Sequence, residues 1–365
     1  MFEQNLTMPP AAFPEKVLTR FVHFSRPIDL PALCRVNKLL SRLAEPRIYR
    51  ELVLKDLQSM YSVMSALLAD DGKRASFVRR LWLFSGSCLF LQVPRGLWNL
   101  IRDALLKMDS LQTIYLVDPD LINTWIFPLD ARLKIREAIL HFAWDERFAA
   151  FLNTQTELRF LSMEDYDFSD DADGYGLPCP LAPGSLPALE TFDGPLPIAQ
   201  QLLSSPLKQL HMTLDAEIAP TLVPFIQKLA RRNKCMRSLD IILILDYLVV
   251  QTLRTLAESP LSSSLRYLGV IMLSPTQRHE IHRSLLHFAH LECIQLNVSH
   301  WHPQPAVYHQ RMLTTELRIY CPSLRYVVFY TAQYHQFVWR CENEQWSHSH
   351  SGGRTSLDDT MWRNF

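Results

Sequence analysis

The chain has 365 residues, of which 48% are hydrophobic, so it is long enough and apolar enough to fold around a sizeable core. Its 37 basic and 37 acidic side chains cancel, which disfavours a general electrostatic attraction to nucleic acid or to an anionic membrane. The seven cysteines lie far apart and include no C-x-x-C pair, a usage that predicts neither a disulfide framework nor a zinc knuckle and favours a reducing compartment, cytoplasmic or nuclear.

The N-terminal part predicts a group of short helices. Prolines divide residues 13–54 into three stretches with helical spacing of apolar residues. Pro14 is expected to open the first helix, because proline fits the first helical turn. Asp29 is expected to cap the second, because its carboxylate can accept hydrogen bonds from free N–H groups. Pro46 is expected to open or kink the third helix, because it has no N–H to donate.

From residue 76 onwards a short apolar pattern repeats. Apolar residues at positions one, four and six recur in eight runs and, more weakly, in two others. The ten runs begin at residues 78, 111, 139, 158, 189, 207, 236, 265, 291 and 324. Their mean spacing of about 27 residues lies within the range of leucine-rich repeats. Each run predicts a short strand with positions four and six on one face.

Helical periodicity fills the intervals between these strands. Helices are expected within residues 95–108, 145–153, 217–233, 247–259 and 274–290. Asp145 and Ser274 are the N-cap candidates, and Pro275 supports the second. Alternating parallel strands and helices can form a barrel, a doubly wound sheet or a solenoid. Polar and aromatic residues alternate within the strands and the chain has only ten glycines, which favours an irregular horseshoe solenoid with one sheet face open to solvent.

An ordered set of motifs lies in the N-terminal stretch. It consists of Phe13-Pro14, Val17-Leu18, Asp29-Leu30, Val36-Asn37 and Tyr49-Arg50. This order resembles the F-box, a small helical module. The rest of the sequence, with phrases such as SLPALETFDGPLP and CPSLRYVVF, resembles the degenerate leucine-rich repeats of fungal-type F-box proteins. The resemblance implies an α/β fold with a three-helix F-box at 13–54, a linker at 55–75, a solenoid of about ten repeats at 76–336, and a C-terminal cap and tail at 337–365.

What the resemblance implies is a substrate-recognition subunit of a cullin-based ubiquitin ligase. In such a subunit the F-box binds the small adaptor subunit of the ligase and the repeats bind a protein target. Ubiquitin is transferred by partner subunits, so the chain itself is expected to be no enzyme and to need no cofactor. The residues expected to bind the adaptor are Phe13, Pro14, Val17, Leu18, Phe21, Leu30, Leu33, Val36 and Leu40.

The target is expected on the strand positions that alternate with the buried ones. Along the chain these positions hold Trp82, Tyr115, Ala143, Ser162, Asp193, His211, Asp240, Gly269, Gln295 and Val328. Trp82 and Tyr115 are the best anchor candidates, because aromatic residues and arginine dominate interface hot spots. The full predicted target-binding set is Arg80, Trp82, Phe84, Tyr115, His211, Asp240 and Gln295.

Four alternatives stay open. Residues 13–54 can be a cap over the end of the repeats, although a cap does not need this ordered set of motifs. The repeats can be a protein-interaction scaffold without a ubiquitin role. A hydrolase or transferase with a diverged site would be favoured by a pocket where histidine and acidic side chains converge with shifted pKa values. The acidic stretch 164–174 or residues 60–75 can fold over Trp82 and bury it.

Metal, nucleic-acid and membrane sites are not expected. His279 and His282 lack the H-E-x-x-H order, which favours a solvated helix face over a zinc site. The stretch 164–174 has part of a calcium-loop pattern, but Pro180 stands where the bidentate glutamate belongs. The basic residues within 231–234 end a predicted helix, where cations complement the helix dipole. No stretch is continuously apolar over the length of a membrane span.

Overall fold

A computed structural model describes residues 13–83, 93–129, 133–163, 179–242, 244–331, 335–351 and 361–365. Short strands and helices alternate along these residues, which makes the protein mixed α/β. The chain divides into two units. The first comprises residues 1–116 with 130–133, and the second comprises residues 117–129 with 134–365.

The first unit begins with three helices that share a core. Its helices are α1 (Glu15–Phe24), α2 (Leu30–Val36), α3 (Lys38–Ile48), α4 (Leu57–Leu68) and α5 (Arg95–Leu105). Its strands are β1 (Glu51–Leu54), β2 (Arg80–Leu83) and β3 (Thr113–Val117), and β3 ends at the unit boundary. The three strands pair in parallel in this order. Leu81 and Leu83 of β2 are buried and alternate with outward residues, as the period of two requires.

The core of the N-terminal helices is small and apolar. Val22, Leu30, Leu40 and Ala44 are buried together, one or two from each helix. The Arg47 guanidinium donates to the Val22 carbonyl at the end of α1 and thereby ties α3 to α1. These contacts close the three helices around their own interior.

The helix starts differ in part from the sequence prediction. Pro14 precedes α1 as expected. The third helix does not begin at Pro46, which lies inside α3. It begins after Asn37, whose side-chain oxygen accepts a hydrogen bond of 2.8 Å from the Leu40 N–H. Asp29 makes no side-chain cap bond, because its carboxylate accepts a hydrogen bond from Arg26 at 3.0 Å instead.

The second unit continues the alternation with a longer sheet. Its strands are β4 (Glu137–His141), β5 (Phe160–Met163), β6 (Thr191–Pro195), β7 (Gln209–Thr213), β8 (Ser238–Ile242), β9 (Tyr267–Met272), β10 (Cys293–Asn297), β11 (Tyr326–Tyr330), β12 (Gln336–Glu342) and β13 (Gln345–Ser351). Its helices are α6 (Glu146–Asn153), α7 (Leu196–Gln201), α8 (Leu222–Arg232), α9 (Asp246–Ala257), α10 (Arg278–Leu285) and α11 (Val307–Tyr320). Strands β4 to β11 are parallel neighbours in chain order, and β11, β12 and β13 are antiparallel. Among the described strands, the first and last strands of each unit do not pair with each other, so the strands of neither unit form a closed barrel.

Each of the ten apolar runs contains or overlaps a strand. The run at Ile139 was the exception in position, because β4 starts at Glu137 and buries Ala138 and Leu140. Ile139 therefore takes the outward position that the sequence pattern predicts for Ala143. The predicted helices appear as α5, α6, α8, α9 and α10.

The helix caps were predicted with mixed success. Asp145 caps α6 by accepting a hydrogen bond of 2.8 Å from the Phe148 N–H. Ser274 does not cap α10, because the helix begins at Arg278 and the Ser274 hydroxyl bonds to Thr276. The longest described helix, α11, has 14 residues. No described helix reaches the length and apolar character that crossing a membrane requires.

Several elements lie where no regular structure was predicted. Helix α4 occupies most of the expected linker 55–75, and the strands β12 and β13 form a hairpin in the expected cap and tail. Strand β1 adds an edge to β2 directly after the N-terminal helices. The polar strand β13, QWSHSHS, pairs along its whole length with β12, so backbone pairing decides its conformation more than its side chains do.

Candidate functional site

One residue from each strand between β4 and β9 lies in line across the sheet of the second unit. The in-register residues are Ile139, Ser162, Asp193, His211, Asp240 and Gly269. Alternate residues of a strand point to opposite faces, so these six share one face. We call Ser162, Asp193, His211 and Asp240 the polar row.

The members of the polar row contact one another across the strands. The Ser162 hydroxyl donates to Asp193 Oδ2 at 2.9 Å, and His211 Nδ1 lies 2.5 Å from Asp193 Oδ1. On its other side, His211 Nε2 lies 3.6 Å from Asp240 Oδ2. The Tyr267 hydroxyl donates to the same Asp240 oxygen at 3.4 Å. His211 is therefore held between two carboxylates.

Burial and these contacts shift the pKa values of the row in different directions. Burial raises the pKa of Asp240 to about 6, although the charge of His211 opposes the shift. Burial is the largest single effect on Asp193 and on His211 and disfavours the charge of each, but the hydrogen bond between them and the attraction of opposite charges together outweigh it. The pKa of Asp193 is consequently lowered and that of His211 is raised. These shifts favour the charged forms of both Asp193 and His211, which are half-buried.

A short segment, residues 361–365, covers the polar row. The indole of Trp362, which is 1% exposed, stacks on the His211 ring with 5.2 Å between centroids. The Arg363 guanidinium lies 4.3 Å from the centre of the Phe160 ring, and its Nη2 lies 3.6 Å from Asp193 Oδ2. The Gln209 side-chain amide donates to the Arg363 carbonyl at 2.7 Å.

The same segment closes an aromatic cluster beside the row. Trp362 is buried with Tyr267, Cys293 and Val328, and Phe365 packs against this group. The Phe365 ring lies 5.7 Å from the Tyr267 ring. Aromatic side chains therefore flank the polar row on the strands that follow it.

The expectation of an open sheet face is wrong for this part of the molecule. Asp240 is 4% exposed and Gln295 is 1% exposed, although both were predicted to contact a target. Val328 is fully buried. Segment 361–365 covers part of this face, since Trp362 is buried together with Val328, and the position of the segment on the sheet could not be inferred from strand alternation.

Gly269 leaves room for the Asp240 carboxylate. The two residues are in register on neighbouring strands. A Cβ added at Gly269 would lie 2.6 Å from Asp240 Cγ and 2.8 Å from Tyr267 Cε1, which is closer than real contacts allow. A glycine at this position therefore permits the contacts of Asp240 with His211 and Tyr267.

The predicted aromatic anchor lies in the first unit. Trp82 and Tyr115 are in register on β2 and β3, and their rings stack with centroids 5.4 Å apart. Trp82 is 36% exposed, so it is not buried by residues 60–75. Arg80 lies beside the pair and reaches Glu51 at 3.5 Å. Phe84 and the stretch 164–174 lie outside the described residues.

The residues predicted to bind an adaptor fall into two groups. Val17 and Phe21 of α1 are exposed, as are three others of the set: Phe13, Pro14 and Val36. Leu30 and Leu40 are buried in the core of the three helices, and Leu18 and Leu33 pack against that core. Leu30 and Leu40 therefore hold the module together and are not available to a partner.

The exposed group continues along α1 and beyond it. Val17, Phe21 and Phe24 recur at a spacing of four and three residues, which places them on one side of the helix. Ile28 is exposed just after the helix. An apolar surface of this kind on a closed helical module indicates an interaction site. We call Val17, Phe21, Phe24 and Ile28 the α1 surface.

The histidines considered for zinc do not form a metal site. Among the described residues, no group of three or more His, Cys, Asp or Glu side chains could hold a metal ion. His279 is exposed as predicted, but His282 is buried, against the expectation of a solvated face. The His282 ring stacks on Tyr320, and burial lowers the pKa of His282 to about 4.

The polar row has some features of an acid–base site, since a histidine and two aspartates meet there with shifted pKa values. Covalent catalysis would also need a nucleophile bonded to the base. Among the described contacts the Ser162 hydroxyl bonds to Asp193 and not to His211. Trp362 also occupies the space against the imidazole. In the structure the row contacts one aromatic and one cationic side chain, those of Trp362 and Arg363.

Comparison with known proteins adds no family. The sequence matches no protein-family model and no curated protein. The interpretation of function therefore depends on the α1 surface, the pair of Trp82 and Tyr115, and the polar row.

Proposed function

We propose that this protein is a substrate-recognition subunit of a cullin-based ubiquitin ligase. In this proposal α1, α2 and α3 are an F-box that binds the small adaptor subunit of the ligase. The strand–helix repeats that follow are leucine-rich repeats of an irregular solenoid, and they hold the protein target. The chain carries out recognition, and its partner subunits carry out ubiquitin transfer.

The observation that carries the proposal is the α1 surface. Four large apolar side chains are exposed on or next to one short helix, while the three helices bury a separate apolar core of their own. A cap over the end of a repeat array would turn its apolar residues inward. Apolar residues turned outward instead suit the docking of a second protein.

The aromatic pair of Trp82 and Tyr115 supports the target side of the proposal. Both side chains lie on the sheet face that alternates with the buried positions. Trp82 is exposed and Tyr115 is half-buried, and stacked aromatic residues next to an arginine are typical of interface hot spots. In this proposal the pair contributes to target binding in the first unit.

The test is adaptor binding by a chain with a charged α1 surface. Val17→Glu with Phe21→Glu should weaken the binding of purified adaptor subunit at least tenfold, because each new carboxylate would have to lose water without gaining a partner. Isothermal titration with the full chain measures this. The thermal unfolding midpoint should change little, because both side chains are exposed in the unbound chain.

A matched control lies on the same helix. Thr19 and His23 are exposed and have the same spacing of four residues, so Thr19→Glu with His23→Glu adds the same number of carboxylates beside the α1 surface. The control variant should bind the adaptor like the unchanged chain. Equal adaptor binding by both double variants would remove the F-box assignment. An unchanged chain that does not bind the adaptor at all would favour the scaffold without a ubiquitin role.

A further inference from the structure

The segment 361–365 occupies the polar row through side-chain contacts of two kinds. The Trp362 indole stacks on the imidazole of His211. The Arg363 guanidinium lies over the Phe160 ring and near the Asp193 carboxylate. An arginine directly after an aromatic residue thus meets an anionic group and an aromatic face at the same time.

The charges of the row explain why an arginine suits it. Asp193 and Asp240 bring two carboxylates to the face, and His211 between them supplies one positive charge when protonated. With both carboxylates ionised, the row without Arg363 has a net negative charge. A guanidinium restores the balance and can also lie flat on an aromatic ring, which an ammonium group does less well.

The segment nevertheless leaves polar atoms of this face without partners. Among the described residues, Asp240 Oδ1, Ser238 Oγ and Gln295 Nε2 are buried and have no hydrogen-bond partner, and neither has Nε of Arg363 itself. Buried polar groups are normally paired, and each unpaired one lowers the stability of the arrangement. The fit of segment 361–365 is therefore incomplete, and a ligand that paired these atoms would bind better.

We propose that the polar row is a binding site for a partner protein segment in which an arginine directly follows an aromatic residue, and that segment 361–365 occupies this site until such a partner displaces it. The partner's arginine takes the place of Arg363 beside Asp193, and its aromatic residue takes the place of Trp362 on His211. Additional polar groups of the partner pair Asp240 Oδ1 and Gln295 Nε2. Peptide binding here does not depend on the adaptor, and only the role of the bound protein as a ubiquitylation target rests on the proposed function.

The test uses the full chain with its own segment weakened. Trp362→Ala with Arg363→Ala removes both side chains that contact the row. The probe is a fluorescent hexapeptide with the sequence of residues 360–365, TMWRNF. Fluorescence anisotropy should show at least tenfold tighter binding to this double variant than to the unchanged chain, because the unchanged chain presents a competing segment at high effective concentration.

Two controls establish which groups recognise the probe. A probe with the arginine replaced by glutamate, TMWENF, should not bind the double variant. Asp193→Asn added to the double variant should weaken binding of TMWRNF at least tenfold. Asp215→Asn, which changes an exposed aspartate of the same unit, should leave it unchanged.

Three results would overturn the proposal. They are equal binding of TMWRNF to the unchanged chain and the double variant, equal binding of TMWRNF and TMWENF, and a double variant that no longer unfolds cooperatively. The last result would show that the segment is a permanent part of the core. Val17→Glu with Phe21→Glu should not affect probe binding, because the α1 surface is not part of the polar row. Failure of the unchanged chain to bind the adaptor, together with probe binding as expected, would overturn the proposed ligase role alone.

Discussion

The Trp362 indole lies parallel to the His211 imidazole, with ring centroids 5.2 Å apart and an angle of 12° between the ring planes. The two residues are 151 positions apart in the chain. His211 is at the same time held by Asp193 at 2.5 Å. The polar residue His211 of β7 is therefore covered by an aromatic side chain from a distant part of the sequence.

Removal of the indole should destabilise the protein much less than removal of a tryptophan from the core. Trp362→Ala is expected to lower the free energy of unfolding by about 1 kcal/mol, because a displaceable segment can detach without unfolding the sheet. Trp339→Ala, in β12 of the same unit and equally buried, should lower it by about 3 to 5 kcal/mol. Denaturant unfolding followed by circular dichroism compares the two variants. Equal losses would mean that segment 361–365 is ordinary core.

Neutralising Asp240 should stabilise the protein at neutral pH. The pKa of this carboxyl is about 6 in the folded state and 3.8 ordinarily, so ionisation disfavours folding. The difference corresponds to about 3 kcal/mol above pH 6, and Asp240→Asn should recover about 1 to 3 kcal/mol of it at pH 7.5. The gain should shrink as the pH falls from 6 to 3.8, because Asp240 becomes protonated in the folded state over this range while the unfolded state becomes protonated only around pH 3.8.

Urea unfolding at pH 7.5 and at pH 4.5 measures this gain. The control Asp215→Asn changes an exposed aspartate of the same unit, and its effect on stability should be small at both pH values. A loss of stability for Asp240→Asn at pH 7.5 would show that the ionised carboxylate stabilises the fold through His211, contrary to this expectation.

A methyl group at position 269 should disturb the polar row. In Gly269→Ala the added Cβ would overlap the Asp240 carboxylate and lie 2.8 Å from Tyr267 Cε1, so one of them must move. We expect a loss of about 1 to 3 kcal/mol in unfolding free energy. Gly96→Ala is the control, because its nearest neighbour is at 3.4 Å and alanine favours the helix there. Thermal unfolding of both variants measures the difference in stability. Equal stability of Gly269→Ala and Gly96→Ala would contradict the expectation that an added Cβ at position 269 displaces Asp240 or Tyr267.

The exposed aromatic anchor should contribute little to stability. Trp82→Ala is expected to lower the free energy of unfolding by less than about 2 kcal/mol, since the side chain is 36% exposed and stacks on the half-buried Tyr115. Trp98 of α5 in the same unit is buried, and Trp98→Ala should lower it by about 3 to 5 kcal/mol. If the loss for Trp82→Ala reached that of Trp98→Ala, position 82 would belong to the core and could not be a binding anchor.

The sequence by itself determined the repeating elements, because they depend on local patterns. Alternating side chains in a run such as LRYLGV, from Leu265, predict a strand whatever surrounds it, and all ten runs overlap strands in the structure. The Asp145 cap was predictable for the same reason, since the capping bond spans only three residues. The apolar pattern did not predict the bounds of β4, because apolar residues beyond the strand, such as Phe142, are buried as well.

Only the tertiary structure decided which face of the sheet is free and which is covered. Strand alternation predicted that His211 and Asp240 would be open to a target, but it contains no information about a segment more than a hundred residues away in the chain. The five residues MWRNF are too short to have a periodicity of their own. Their position depends on stacking against His211 and on the charge of Asp193, and those partners come together only when the parallel strands are assembled in register.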